Sequence, residues 1–405
     1  MKIVIIGAGP SGLTVANRLQ QLGLDDFVVL EKEEEPGGLC RSITIDGSPL
    51  DIGGGHFLDV RRPKVNEFLF EFMPKREWNI FTRDSRIELD GCEVTHPIEA
   101  NIWQMGIDNQ IEYLISIAKA GCNTGKVMPT KFVDWIYWKL GIKIAESYML
   151  PYNRKMFGAD LEELGTYWLD KLPSVSFEDT LRSCLEHKAH AKQPGHAQFY
   201  YPKKYGYGEL WKRMADSLNG KVIYNEDVCA IDGESHKIKT VEGHEIYADL
   251  IINTAPWKEV RRQASMPEEV VEAIDSLKHT SVGIQYFNET PETAAQWCYY
   301  PNPKVAFHRT LIRKNFIPGA KGYWTETNVT AYSAEEQKRY LYVNDYAYPV
   351  NMLDKPMQMK VITEWCKGNG ILPLGRWGEH THYNSDAVVE RALNLAETII
   401  DGLHE

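Results

Sequence analysis

Seven cysteines stand at positions 40, 92, 122, 184, 229, 298 and 366, and none forms a CxxC pair or shares a metal-ligand spacing with histidine. That excludes a disulfide framework or a zinc ribbon read from sequence, leaves no metal site to propose, and predicts reduced thiols in the cytoplasm. Long apolar runs are missing as well. Nothing approaches the roughly 20 residues that cross a bilayer, and Met1 leads straight into an apolar strand rather than a basic-then-apolar leader. Positive charge is scarce, with 45 Lys and Arg against 56 Asp and Glu for a formal charge of −11. Such a balance argues against nucleic acid or an anionic membrane surface as the main partner, so any anionic ligand must be held by local arginines. Internal repeats and low-complexity tracts are absent too.

What is present is enough apolar material, 43% of 405 residues, for two or three lobes sharing interfaces. The first segment is the most informative. A β-branched run, Ile3 to Ile6, ends at Gly7, and a helical pattern with Leu13, Ala16 and Leu19 follows. Gly7 permits the sharp turn, Gly9 lets a pyrophosphate approach the backbone, and Gly12 lets helix and strand pack closely, with helix N–H groups aimed at the anion. Glu31 closes a second apolar run, Phe27 to Leu30, about twenty residues on, where a carboxylate accepts ribose hydroxyls and repels a 2′-phosphate. Strand, glycines and acid at these spacings predict an adenine-dinucleotide site.

Motif order sets the expected organisation: an α/β (α+β overall) chain with a discontinuous Rossmann-like domain from 1–60, 196–256 and 366–405. Residues 61–195 read as a mainly helical insertion or substrate lobe, and 257–365 as an antiparallel sheet over the cofactor, from stretches such as SVGIQYF and KVAFHRTL. Around Tyr200 the chain reads as a Gly-punctuated loop entering an amphipathic helix. Asp386 stands where a last helix would begin, its N-terminus available to negative charge. The aromatics Trp135, Tyr137 and Trp138 fit a buried amphipathic helix better than a membrane-docking one. Lys203 and Lys204 among tyrosines read as a solvated loop.

The continuation EPGGLCRS, then ITIDGSPLDIGGGH, adds a glycine pair before Arg41, a hairpin and a glycine cluster ending at His56. This resembles the glutathione-reductase-like FAD proteins, in the branch holding amine oxidases, protoporphyrinogen oxidase and UDP-galactopyranose mutase. Four further segments resemble the mutases: HPIEANIWQM, FVDWIYWKLGIKIAESYMLPYNRKMFGADLEEL, WCYYPNPKVAFHRT and GRWGEHTHYNSD. The resemblance implies FAD held by Gly7, Gly9, Pro10, Ser11, Gly12, Glu31, Lys32, Gly38, Leu39, Arg41, Gly54, Gly55, His56, Val228, Gly375, Arg376, Tyr383, Asn384 and Asp386. It implies substrate contacts from Asn101, Tyr152, Phe157, Tyr299, His382 and Tyr383, a Pro151-Tyr152-Asn153 turn, and catalytic roles for His56, Arg309 and Arg376.

In that family a reduced flavin attacks the anomeric carbon through N5, expels UDP, and holds the sugar as an adduct while pyranose and furanose interconvert, with no net oxidation. Guanidinium groups of Arg309 and Arg376 would bind the leaving diphosphate, with Tyr152 and Tyr299 donating to the same phosphates and Phe157 stacking on the base. The implied setting is nucleotide-sugar chemistry for cell-surface polysaccharide, with an unidentified flavin reductant and an oligomeric state left open. The match departs at Leu150, where eukaryotic-type mutases place an arginine, at His382, where mutases have tyrosine, and after Pro173, where the prokaryotic loop arginine has no counterpart. If the turn at Pro151 is helical, Arg154 lies one turn beyond Leu150 and could compensate for it, but the departures favour a related flavoenzyme acting on a different nucleotide sugar or polar metabolite. Two alternatives stay open: an oxidoreductase of the amine oxidase or protoporphyrinogen oxidase type, and a non-catalytic FAD-binding scaffold.

Overall fold

The computed structural model describes residues 1–404 apart from 90, 170–171, 191–194, 263–265 and 290. Its centre is a parallel sheet of five short strands in the order Val222–Ile223, Phe27–Leu30, Ile3–Ile6, Leu250–Asn253 and Ile371–Pro373. Period-two alternation divides the central strand between two cores. Ile3 and Ile5 pack with Leu13, Ala16, Val389 and Ala392 on one side, while Val4 and Ile6 pack with Ile251, Trp257, Ile274 and Ile362 on the other. Burial on both faces is why these strands read as continuous apolar runs. Helices Pro10–Gln21 and Ser385–His404 share the first layer, so residues almost 400 apart in sequence close the same domain.

A second, seven-stranded sheet runs Tyr342–Pro349, His279–Phe287, Tyr323–Asn328, Arg309–Ile312, Trp297–Tyr299, Ser85–Leu89 and Cys92–Thr95. It differs from the expectation in two ways. Trp297–Tyr299 pairs in parallel with Ser85–Ile87, because those strands come from distant segments rather than a hairpin, so the sheet is mixed. The run beginning at Lys304 is a strand only from Arg309, residues 304–308 forming the connection before it. One transverse row of this sheet carries, in register, Tyr299, Arg309, Glu326, Ile284 and Tyr342.

Helices Ile107–Ala118, Phe132–Ile144, Leu150–Phe157 and Phe177–Glu186 bury their own core around Phe132, Ile136, Ile144 and Leu164. Trp135 belongs to that core, and among the described residues no helix is long and apolar enough to cross a membrane. Pro151-Tyr152-Asn153 lies in helix Leu150–Phe157, not in a loop turn, directly after a wider-wound π-helical segment, Ala145–Met149. Tyr200 lies in a strand, Gln198–Pro202, paired with Trp78–Thr82, and the amphipathic helix begins later, at Gly208. Lys203 reaches back to the carbonyl of Arg76.

Candidate cofactor and substrate site

The glycine loop is built as its spacing predicts. Gly7 has φ +98°, a left-handed value that side chains avoid, and a Cβ there would lie 2.6 Å from Thr254 Oγ1. A Cβ on Gly12 would come within 2.0 Å of the Gly7 carbonyl oxygen, so only glycine allows this close packing. Gly9 is different: a Cβ there would meet no atom within 4 Å, because Gly9 faces an elongated cavity. Helix Pro10–Gln21 starts with no side-chain cap, leaving its first N–H groups turned to that space. Glu31, 6% exposed, accepts from Ala8 N–H at 2.7 Å and Glu33 N–H at 3.0 Å, tying the loop to the second strand. Burial raises its pKa above the ordinary value.

Of the nineteen residues expected to hold FAD, thirteen line this cavity: Gly7, Gly9, Pro10, Ser11, Glu31, Lys32, Gly38, Leu39, Arg41, His56, Val228, Arg376 and Tyr383. A cavity that runs from a glycine loop and the Glu31 carboxylate past Arg41 to His56 and Arg376 fits the parts of FAD. Arg41 spans its middle, pairing with Glu33 at 3.2 Å and donating to Tyr342 Oη at 2.5 Å.

Six residues stand behind the wall. Gly12 supports the loop, and a Cβ on Gly375 would strike Ser11 Oγ at 2.0 Å. Gly54 and Gly55 press on Glu326, with Gly55 N–H donating to Oε1 at 3.1 Å. Asn384 is exposed and outside the cavity wall. Asp386 starts its helix as expected, but it is 4% exposed and ion-paired to Arg62 Nε at 2.6 Å, so the helix N-terminus acts here as a structural joint.

At the end of the cavity away from Glu31, His56 sits near Arg376, Glu326 and Arg309. Burial, then the charge of Arg376, lowers the His56 pKa to about 3, so the ring is neutral. Its Nδ1 lies 3.1 Å from the Gly54 carbonyl, which can only accept, so the proton is on Nδ1 and Nε2 is the acceptor. Arg376 is held by carbonyls alone: Tyr383 O receives Nε and Nη2 at 3.1 and 2.7 Å, and Ala347 O receives Nη1 at 3.1 Å.

The sheet row supplies the opposite wall. Arg309 donates to Glu326 Oε2 from Nε at 2.9 Å and Nη2 at 2.5 Å. Burial alone would raise the Glu326 pKa, yet Arg309 and the neighbouring His308 hold it at about 2. Tyr299 Oη accepts from Arg83 Nη2 at 3.2 Å, and its ring meets Tyr152 edge-on at 5.4 Å. Tyr348 lies 3.5 Å from Arg309 Nη2, 4.8 Å from the ring of His382, and 5.9 Å from the Arg376 guanidinium. Burial raises the pKa of Tyr152 and Tyr348, keeping both hydroxyls protonated.

Three substrate expectations do not hold. Asn101 is 4% exposed and donates to the Pro97 carbonyl, which closes its own short helix. Phe157 packs against Trp168 inside the helical core, so it is no platform for a base. Arg154 does follow Leu150 in a helix, but that helix straddles the surface: Leu150 is buried, and Arg154 is 58% exposed beside Glu162.

Four residues were missed. Glu326 stands in YWTETN, a strand with Thr325, Thr327 and Asn328 beside it, so its sequence context does not mark the acid as buried; the fold does. Tyr342 and Tyr348 belong to YVNDYAYP, where tyrosines recur at even spacing. Arg83 gave no signal; only the fold brings it to Tyr299 and to His96 Nδ1, 3.0 Å away. Its other donors reach Ser85 Oγ and Gly195 O. Neither Arg83 nor Arg376 has a carboxylate partner among the described residues.

Residues 5–72 match the model of an NAD(P)-binding Rossmann-like domain, and residues 143–298 that of a flavin containing amine oxidoreductase. A curated relative, an uncharacterized protein in the nifH2 3′ region of Methanothermococcus thermolithotrophicus, is 55% identical over 53 residues, 13% of this chain and 50% of that protein. The chain thus spans half the length of that relative. Among solved structures, reduced UDP-galactopyranose mutase superimposes with a TM-score of 0.88 at 22% identity, over 100% of this chain and 94% of the other. Putrescine oxidase bound to putrescine superimposes with a TM-score of 0.62 at 16% identity, over 99% of each chain.

Proposed function

We propose that this chain, which has the flavin amine oxidase superfamily fold in a form similar to UDP-galactopyranose mutase, binds FAD and interconverts pyranose and furanose forms of a nucleotide-diphosphate sugar. One observation carries the reading: cations without carboxylate partners, Arg376 and Arg83, stand at the two ends of a tyrosine-lined cluster in a protein of net charge −11. The Arg376 guanidinium, withdrawn from water and held by carbonyls, favours an anion nearby and repels an ammonium substrate. That argues for a diphosphate and against putrescine-like amines.

Reduced FAD, when bound, supplies a nucleophilic ring nitrogen and neither gains nor loses electrons over the cycle. The protein's own part is positioning and charge. Arg376 faces the cavity end and stabilises negative charge that gathers on a departing diphosphate. Tyr152 and Tyr348 donate hydrogen bonds to it, since their hydroxyls hold their protons. Arg83 approaches from the other side through Tyr299. His56, neutral, offers Nε2 as an acceptor against the cavity.

The test is anaerobic incubation of the purified protein with a panel of nucleotide sugars, before and after dithionite, with products read by NMR. The expected result is interconversion only in the reduced state, lowered at least tenfold by Arg376→Met. Turnover of an amine or another hydride donor, with no isomerisation in either state, overturns the proposal in favour of an oxidoreductase.

A further inference from the structure

Glu326 is fully buried, and both of its oxygens are committed. Oε1 accepts Gly55 N–H at 3.1 Å, Oε2 accepts the Arg309 fork, and His308 Nε2 lies 3.5 Å from the same oxygen. A Cβ on Gly54 would stand 2.8 Å from Oε1, so the glycine turn lies directly against the carboxylate. The next residue of that turn, His56, lines the cavity. Arg309 and Glu326 face each other in register across neighbouring strands, so their pairing is fixed by the sheet.

We infer that Glu326 is a positioning residue that neutralises Arg309 and, through this pair, holds down the reduction potential of the bound flavin. The inference rests on the flavin half of the proposed function and is independent of the sugar. Two-electron reduction with uptake of one proton leaves one negative charge on the ring. A cation near that end of the cavity stabilises the product, and the effect is strong where water is excluded. With Glu326 in place, Arg309 contributes a dipole rather than a charge, and Arg376 remains the uncompensated cation at the cavity end.

The charges around the pair are few. In the connection just before the Arg309 strand lies His308, kept neutral because burial outweighs the pull of Glu326, and Lys155 reaches the same connection, donating to the Tyr300 and Phe307 carbonyls. Tyr299 and Tyr348 come from the same sheet, Tyr299 on the strand paired with that of Arg309, and from other elements come His56 on the glycine turn, Arg376 near the C-terminal helix and Tyr152. None of these supplies a second carboxylate for Arg309.

The experiment is a midpoint-potential titration of the flavoprotein in low-salt, non-coordinating buffer at pH 7.5, with dithionite as reductant and reference dyes. Glu326→Gln keeps the size and an acceptor for Gly55 N–H while leaving Arg309 uncompensated. It should shift the reduction equilibrium at least tenfold toward the reduced form, about 30 mV for two electrons. The double variant E326Q/R309Q removes both charges and should return to within threefold of the wild type. A purely structural role predicts that the second substitution adds to the disturbance instead of reversing it. A shift below threefold in E326Q, or a double variant further from wild type than the single one, overturns the inference. A wild-type protein that takes up no flavin overturns the reading of the cavity itself, which is a distinct outcome.

Discussion

Asp51 shows how a single buried acid links the hairpin of Ser42–Ile45 and Ser48–Asp51 to the rest of the fold. It is wholly buried and accepts from Ser42 Oγ at 2.5 Å, Tyr201 Oη at 2.9 Å and Tyr207 N–H at 3.2 Å. Burial outweighs these three donors and lifts its pKa from 3.8 to about 6. A carboxyl whose folded pKa lies above its unfolded value contributes stability that is complete below the unfolded pKa and lost as pH rises through the folded one. The window is therefore pH 4 to 6, and the size is roughly 3 kcal/mol at 1.36 kcal/mol per unit. Asp51→Asn removes the titration, so the difference in unfolding free energy between wild type and variant should slope across that window and be flat above pH 7. Denaturant melts at pH 4, 5, 6 and 7.5 measure it; parallel curves would show that Asp51 titrates normally.

Among the elements, helix Phe132–Ile144 is the one whose geometry depends most on one residue. Gly141 has φ +73° inside it, and a Cβ there would lie 2.4 Å from the Ser116 carbonyl of the neighbouring helix. The kink lets the two helices touch through backbone, with Lys143 N–H donating to Ser116 Oγ at 2.9 Å. Gly141→Ala should cost about 2 to 4 kcal/mol, from a strained dihedral plus displacement of the helix pair, and should lower the thermal midpoint without changing flavin content. A variant as stable as the parent would mean the kink relaxes freely.

What the sequence made legible at this scale was local. Gly7, Gly9, Gly12 and Glu31 carry their roles in backbone dihedrals and short spacings, so pattern reading reached them. The pairing of Arg309 with Glu326, and of Arg83 with Tyr299, depends on strand register and on a parallel contact between distant segments. No spacing encodes that. Phe157 and Asn101 failed for the complementary reason: a motif gave their positions, while packing decided which way they faced.

At the scale of the whole molecule, the cavity is lined by parts of the chain far apart in sequence. Gly9 and Glu31 come from the start of the sequence, Val228 from its middle, Tyr342 and Asn344 from the large sheet, and Arg376 and Tyr383 from the end. A ligand seated there binds only the assembled state and so stabilises it, by about 2.7 kcal/mol at a free concentration 100 times its Kd. Calorimetry of protein stripped of flavin and then titrated should show a midpoint that climbs with FAD concentration by several degrees, with ADP giving part of the rise. Glu31 adds a selectivity to that test. In the proposed pose its carboxylate meets the ribose hydroxyls, and burial together with two backbone donors fixes it at the cavity wall. A dinucleotide bearing a 2′-phosphate should therefore give no rise at concentrations where FAD saturates. An equal rise with the 2′-phosphorylated ligand would remove Glu31 from the cofactor's ribose and place the adenosine elsewhere along the cavity.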